Sequence, residues 1–268
     1  MALTSGIMWY GAINRDEWYG KPNHPTELFP QLKEMGIDTV DIFGRSVDDW
    51  GLEVVKGALD SSGLGCACYY ISCDLVKDDP EGVAAADEAF EVGMGNAEVL
   101  GAPICFTCGT QHGNEGEDAF GRYIDRLGEK VALFEGTGMT LVIENAGKLL
   151  HTAADMKRIM DALADDGLRL CPDTGNFTLW RQDEIEAVEM LLPWSAHFHM
   201  KDYAELWEED GALRGREAVL GEGLTPIAEI MAMIKGSDYD GVLAWEPGTQ
   251  DEAGVEQSVK NMLEMIRS

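Results

Sequence analysis

Residues 137–174 read TGMTLVIENAGKLLHTAADMKRIMDALADDGLRLCPDT. A short apolar run, TLVIENA (140–146), gives way to an amphipathic stretch at 152–165, and then to a second apolar run, LRLCPDT (168–174). Two strand-length runs around a helix-length one make a βαβ unit, whose crossover leaves the strands parallel. The same alternation continues in both directions. The other strand candidates are SGIMWYG (5–11), DTVDIFG (38–44), GCACYYISC (65–73), APICFTCG (102–109), SAHFHMKD (195–202) and GVLAWEP (241–247). The other helix candidates lie at 26–35, 45–61, 80–100, 117–136, 182–192, 224–235 and 252–267. Thr26 is placed to cap the first of these, with Gly36 just past its end, and Asp79-Pro80 opens the third.

Eight strands alternating with eight helices predict an α/β fold with a parallel sheet. No strand run looks like a charged edge strand, so a closed (β/α)8 TIM barrel fits better than an open sheet. A barrel needs about 250 residues, which makes residues 1–268 one domain. An open doubly wound sheet would want a glycine-rich phosphate turn after the first strand, and GAINRDEW has none. GMGNAE (93–98) falls inside a helix candidate and lacks the last glycine of a dinucleotide fingerprint. The segment YAELWEEDGALRGREAVLGEG (203–223) reads as one long polar connection.

The 49 acidic residues outnumber the 20 basic ones, for a formal net charge of −29. Such a field opposes approach of nucleic acid and of anionic membranes. The first residues, MALTSGIMWYGAI, show no basic region and no cleavable apolar core, and no run approaches the ~20 apolar residues of a membrane span. The expected location is cytoplasmic. The six cysteines lie in or beside strands and read as buried packing groups. Cys105 and Cys108 form a C-x-x-C, but inside a strand that spacing points to opposite faces, against a redox or zinc role.

Four consecutive strand candidates end in a side chain able to bind a metal: Glu144, Asp173, His199 and Glu246. Neighbouring strands lie ~4.8 Å apart, so four such ends can converge at the C-terminal mouth, where barrel enzymes keep their sites. Strand parity agrees, because Val142, Cys171 and Ala244 precede Glu144, Asp173 and Glu246 on the inward face. Three carboxylates and one imidazole suit Mn2+ first, with Mg2+, Co2+ or Zn2+ as alternatives.

The blocks LVIEN, CPDTGN, HFHMKD, LGEG and YDGVLAWEP resemble, in order, those of the xylose isomerase-like superfamily of sugar and sugar-phosphate isomerases and epimerases, which also contains endonuclease IV-type nucleases. The resemblance implies one divalent ion on Glu144, Asp173, His199 and Glu246. It also implies proton abstraction next to a carbonyl through a metal-stabilised enediolate, with Glu144 and Glu246 as the catalytic pair on opposite sides of the carbon. DTGNFTLW resembles a stretch of pentulose-5-phosphate 3-epimerases.

Lys201, Asn176, His112, Glu222 and Trp180 are the substrate-binding candidates, with Trp9 and Tyr69 as further pocket walls. His197 reads as a hydrogen-bonded core histidine one layer below His199. Arg181, Arg214 and Arg216 are the groups available to reach a phosphate. Some positions depart from the family. The ketose 3-epimerases acting on free hexuloses carry His where this chain has Asn176, and Arg where it has Glu205. The base that some related lyases carry two residues after the first metal Glu is replaced by Ala146. The alternative activity is a dehydratase or lyase on a keto-inositol or 3-keto-glycoside. The remoter one is an endonuclease IV-type nuclease, which would want further histidines than the five present and a basic groove. The expected partner is a small carbohydrate, with no nucleic acid and no membrane. A homo-oligomer, or a barrel subunit that needs a second protein, is compatible with the sequence.

Overall fold

The computed structural model describes residues 3–9, 17–18, 21–108, 116–248 and 251–268. Its strands are β1 (Thr4–Trp9), β2 (Glu17–Trp18), β3 (Lys21–Pro22), β4 (Thr39–Phe43), β5 (Gly65–Tyr70), β6 (Ile104–Cys108), β7 (Thr140–Glu144), β8 (Arg169–Cys171), β9 (His197–Met200), β10 (Tyr203–Glu209), β11 (Ala212–Glu217) and β12 (Val242–Trp245). Eight of them form one parallel sheet in the order β8-β7-β6-β5-β4-β1-β12-β9. The ends meet through two isolated parallel bridges, Leu170 to Ser195 and Asp173 to His199. The fold is therefore the (β/α)8 barrel that the sequence predicts, and all eight strand candidates become barrel strands.

Alternation along each strand divides the core in two. Ile7, Val40, Ile42, Leu141, Ile143 and Leu170 point outward and pack against the helices. Met8, Cys68, Phe106, Val142 and Cys171 fill the inside of the barrel. A bulge modifies this in β5, where the register with β4 shifts between Val40 and Asp41. Cys66 thus packs outward and Cys68 inward, although two residues apart in a strand normally share a face. All six cysteines are free. Cys105 is buried among the outer core, and Cys108 lies 3.2 Å from the Tyr70 hydroxyl on the mouth side, as the strand spacing requires.

The helices are α1 (Pro25–Met35), α2 (Gly44–Trp50), α3 (Leu52–Ser62), α4 (Pro80–Leu100), α5 (Glu117–Ala132), α6 (Ala153–Leu163), α7 (Thr174–Leu179), α8 (Glu184–Leu191), α9 (Ile227–Lys235) and α10 (Glu252–Arg267). Four expectations need correction. The helix at 45–61 is two, because Gly51 adopts φ 89° and breaks it. The cap of α1 is His24, whose ring nitrogen accepts the Thr26 N–H, rather than Thr26 itself. A short helix, α7, follows β8 directly, capped by the Asp173 carboxylate, which accepts the Asn176 N–H at 2.9 Å. The polar connection 203–223 is structured over its first part, where β10 and β11 pair as an antiparallel hairpin. Its turn is Asp210-Gly211, both at positive φ (52° and 75°), the Asp-Gly signature of a two-residue hairpin turn. Among the described residues no helix is long and apolar enough to cross a membrane.

Asp202 anchors the hairpin. It is 2% exposed, and its carboxylate accepts four backbone N–H groups, from Tyr203, Gly221, Gly223 and Thr225, at 2.8–3.0 Å. A Cβ on Gly223 would fall 2.3 Å from its Oδ1, so glycine is required there. Asp202→Ala removes the acceptor from all four donors and is expected to cost at least about 3 kcal/mol in chemical denaturation. Asp202→Asn, which keeps one acceptor oxygen, should cost roughly half as much. A loss below about 1 kcal/mol for Asp202→Ala would show that the carboxylate does not organise this segment.

Candidate metal centre

The four ligand candidates arrive on four adjacent strands. Glu144 is the last residue of β7, Asp173 stands two residues past β8, His199 is within β9, and Glu246 follows β12. One donor atom from each lies within 4.8 Å of the others, about twice a metal–ligand bond of ~2.0–2.4 Å. His199 Nδ1 is 2.5 Å from Glu144 Oε1. Asn145 clamps the segment that carries Asp173: its Oδ1 accepts the Asp173 N–H at 2.6 Å, and its Nδ2 donates to the Asp173 carbonyl at 3.0 Å. With Oδ1 of Asp173 committed to capping α7, Oδ2 is left facing the site.

A fifth acidic group lies beneath. Asp41, on β4, is fully buried inside the barrel. Its Oδ2 is 2.7 Å from His197 Nε2 and 3.3 Å from His199 Nε2. With Nε2 turned toward Asp41, His199 presents Nδ1 to Glu144 and the site. Such a carboxylate–histidine contact fixes the tautomer and the ring plane of a metal ligand. His197 is the hydrogen-bonded core histidine that the sequence suggests, and its partner is Asp41. The sequence analysis missed Asp41. Its signal is a charged residue in the middle of an apolar strand, VDIF, on the inward parity.

Lys201 supplies the positive charge nearest the ligands. Its Nζ is 2.7 Å from Glu246 Oε2, 3.0 Å from Asp173 Oδ2 and 3.5 Å from Asn176 Oδ1. The ion pair is with the ligand candidates Glu246 and Asp173, not with the adjacent Asp202. A Cβ on Gly175 would fall 2.7 Å from Lys201 Cγ, so glycine lets the lysine pass. Burial opposes ionisation of Glu246, but Lys201, the hydrogen bond with Asp173 and the nearby His199 together outweigh it and hold the carboxyl down to about 2. Burial pushes Asp173 well above the usual carboxylate range against the pull of Lys201, with Glu246 and Glu144 adding to the rise. Burial draws His199 down, yet Cys171, Glu144 and Asp41 raise it well above its ordinary value.

These residues fit a divalent cation. Asp41, Glu144, Asp173 and Glu246 place four carboxyl groups in a buried region with one ammonium and two imidazoles, and a buried charge needs compensation. Cys171, His197 and His199 also approach one another. Burial pushes the Cys171 thiol up to about 12, which disfavours it as a ligand, whereas the four-residue set offers hard oxygen donors.

Above the ligands opens a cavity of about 870 Å³. Phe43, Tyr70 and Phe106 form its apolar wall, with Tyr70 and Phe106 stacked at 4.5 Å and Phe106 edge-on to His199 at 5.1 Å. Lys201, Asn176 and Trp180 line it, as expected, and Trp180 packs at 4.3 Å on His151. The β10–β11 hairpin folds over the opening with Ala212, Leu213 and Arg214. Other candidates lie elsewhere. Trp9 is buried on the helix side, donating to Asn23 at 2.7 Å, and Tyr69 is buried there too, accepting from Asn96 at 2.9 Å. Each stands on the outward parity, so Tyr70 takes the wall position foreseen for Tyr69. Glu222 is exposed in the turn that Asp202 organises and does not line this cavity. His112 lies outside the described residues.

The family model described as Xylose isomerase-like TIM barrel matches residues 29–268. No curated protein sequence matches the chain. Among solved structures, 3-keto-D-glucoside 4-epimerase from E. coli shares 14% identity at a TM-score of 0.77, with 99% of this chain and 100% of that one covered. A xylose isomerase-like TIM barrel protein from Mycobacterium smegmatis, in complex with magnesium, shares 18% at 0.75, covering 99% and 96%. The probable 3-DHS dehydratase from Bacillus anthracis shares 15% at 0.76, covering 97% and 99%. At such identities the likeness is one of fold.

Replacing Asp41 by Asn keeps the shape but offers His199 and His197 an amide that can donate as well as accept. Mn2+ affinity, read by calorimetric titration, is expected to fall about 10–100-fold, the usual cost of losing a partner that orients a ligand. An affinity within about threefold of the parent would show that Asp41 does not orient His199.

Proposed function

Because the chain belongs to the xylose isomerase-like TIM barrel family, we propose that it is a divalent-metal-dependent isomerase or epimerase of sugars or sugar phosphates. The reading rests on one observation above all, the convergence of Glu144, Asp173, His199 and Glu246 at the C-terminal mouth. A divalent ion held there, Mn2+ or Mg2+ by the chemistry of the donors, supplies positive charge that acidifies a C–H beside a carbonyl.

The chain's own groups handle the proton. Glu144 and Glu246 come from β7 and β12, the two ends of the four-strand arc β7-β8-β9-β12. Their carboxylates therefore approach a substrate from different sides. One takes the proton and the other delivers one to the opposite face, which inverts the carbon. Lys201, between Asp173 and Glu246, donates to a substrate oxygen, and Asn176 stands beside it. Phe43, Tyr70, Phe106 and Trp180 exclude water from the carbon being deprotonated. Nucleic acid has no part in this reading, since the −29 charge opposes it.

Glu246→Gln and Glu144→Gln separate metal binding from proton transfer, because an amide oxygen still reaches a cation but takes no proton at neutral pH. Each variant should retain part of its metal and lose at least ~10²-fold in turnover on a panel of ketoses and ketose phosphates. In D2O, one variant should still exchange the C–H of a single epimer without inverting it. Near-normal turnover of both variants at full metal loading would move the proton chemistry to other groups, with Lys201 first among them.

A further inference from the structure

The mouth escapes the acidic excess of the rest of this protein. Of the chain's 20 basic residues, four line the cavity: Lys148, Arg181, Lys201 and Arg214. Among the described residues the acidic ones that line it are Glu144, Glu208, Asp210 and Glu246, and two of those are ligand candidates, although the chain carries 49 acids in all. Lys201 is committed to Asp173 and Glu246. Arg214 has only a long contact to Glu209, at 3.9 Å. The Arg181 guanidinium has no hydrogen-bond or ion-pair partner among the described residues, in a chain with acids to spare.

The backbone at Arg181 is the second observation. It stands just past the C-terminus of α7 with φ 55°. The Gln182 N–H donates to the Phe177 carbonyl and the Arg181 N–H to the Thr178 carbonyl, both at 2.9 Å. Those two bonds define a helix ending whose left-handed residue is ordinarily glycine. Eleven described glycines do adopt positive φ, whereas Asp210 is the sole other described non-glycine residue to do so, and a hairpin turn demands it there. Helix termination alone would place a glycine at 181. The strain of an L-residue at such a point is retained where the side chain has work.

The third observation is length. α7 begins at its cap, the ligand candidate Asp173, and runs six residues to Leu179, about 9 Å of helix. Its two ends thus set the metal ligands and the Arg181 backbone roughly one short sugar chain apart, and the hairpin brings Arg214 over the same cavity.

We propose that Arg181 and Arg214 hold a terminal oxyanion of the substrate, a phosphate monoester or a carboxylate, while its carbonyl end reaches the ligands. This deepens the isomerase reading and rests on it. Guanidinium groups suit such oxyanions because they can donate two parallel hydrogen bonds.

The test uses the full chain loaded with Mn2+, at constant ionic strength so that the overall negative field is screened equally throughout. The calorimetric probes are D-ribulose 5-phosphate, D-ribulose and 5-keto-D-gluconate, so that each carries a ketone and the two anions carry their oxyanion at the far end. The parent should bind one of the two anions at least tenfold more tightly than ribulose, and which one it favours assigns the oxyanion to phosphate or carboxylate. Arg181→Gly should lose at least tenfold of that preference while its Tm rises by about 2–4 °C, since glycine relieves the backbone. Arg214→Gln should lose preference with Tm unchanged. Equal binding of all three probes by the parent overturns the proposal, as does full anion preference in Arg181→Gly. Deuterium exchange into the same compounds is read separately. Exchange with no preference for anions defeats the oxyanion site and leaves the isomerase reading standing. Anion binding lost in Arg181→Gly, with no exchange from any ketose or ketose phosphate, defeats the isomerase reading instead.

Discussion

Four carboxyl groups share the upper interior of the barrel, and none can leave it. Asp41, Glu144, Asp173 and Glu246 are fixed by strands whose other residues form the two halves of the core. Burying one carboxylate without a counter-charge costs several kcal/mol, so this arrangement persists only with cations among the acids. Lys201, His197 and His199 meet part of the need from within. Their own hydrogen bonds then organise the surroundings. Lys201 exchanges backbone and hydroxyl bonds with Thr174 at 2.9–3.0 Å and requires Gly175 beneath its chain. The segment from Cys171 to Leu179 is therefore shaped around a charge problem, and packing follows from it.

Much of this was legible in the sequence for a simple reason. Barrel strands repeat with period two and end at one face, so a ligand at each strand end aligns without any knowledge of long-range contacts. Glu144, Asp173, His199 and Glu246 obey that rule. Asp41 obeys the parity too, but it lies in the middle of its strand and matters only through His197 and His199, more than 150 residues away. A lone acidic residue in an apolar strand reports burial of charge but not which partner neutralises it. Tyr70 was hidden for another reason. The bulge in β5 changes which residues face inward, and no local signal in GCACYY marks it. The hairpin at 203–217 was missed although its signal is present: Asp-Gly at 210–211 sits within the polar connection 203–223.

The hairpin also changes what the mouth is. A bare barrel end would leave the ligands open to water and to the protein's own negative field. With β10 and β11 folded over it, the cavity gains a roof whose attachment is the Asp202 carboxylate, one residue from Lys201. The end of β9 and the two residues after it therefore deliver, within four residues, a metal ligand candidate, the cation that pairs with Asp173 and Glu246, and the anchor of the roof. A disturbance at Asp202 would reach Lys201, which pairs with Asp173 and Glu246, through one peptide unit, and this couples the stability of the roof to the geometry of the site.

α7 ties the two ends of the cavity together by a different route. Asp173 divides its oxygens, one capping the helix and one facing the ligands. The cap orients the carboxylate, and the carboxylate holds the helix, so neither can shift alone. At the far end the helix closes on a strained Arg181 where glycine would serve the backbone better. A six-residue helix has little stability of its own. Keeping one that starts on a buried ligand candidate and ends on an unfavourable residue is hard to explain by folding. The arrangement makes sense if the distance between its ends is what matters, because a helix of fixed rise per residue fixes that distance more firmly than a loop of the same length.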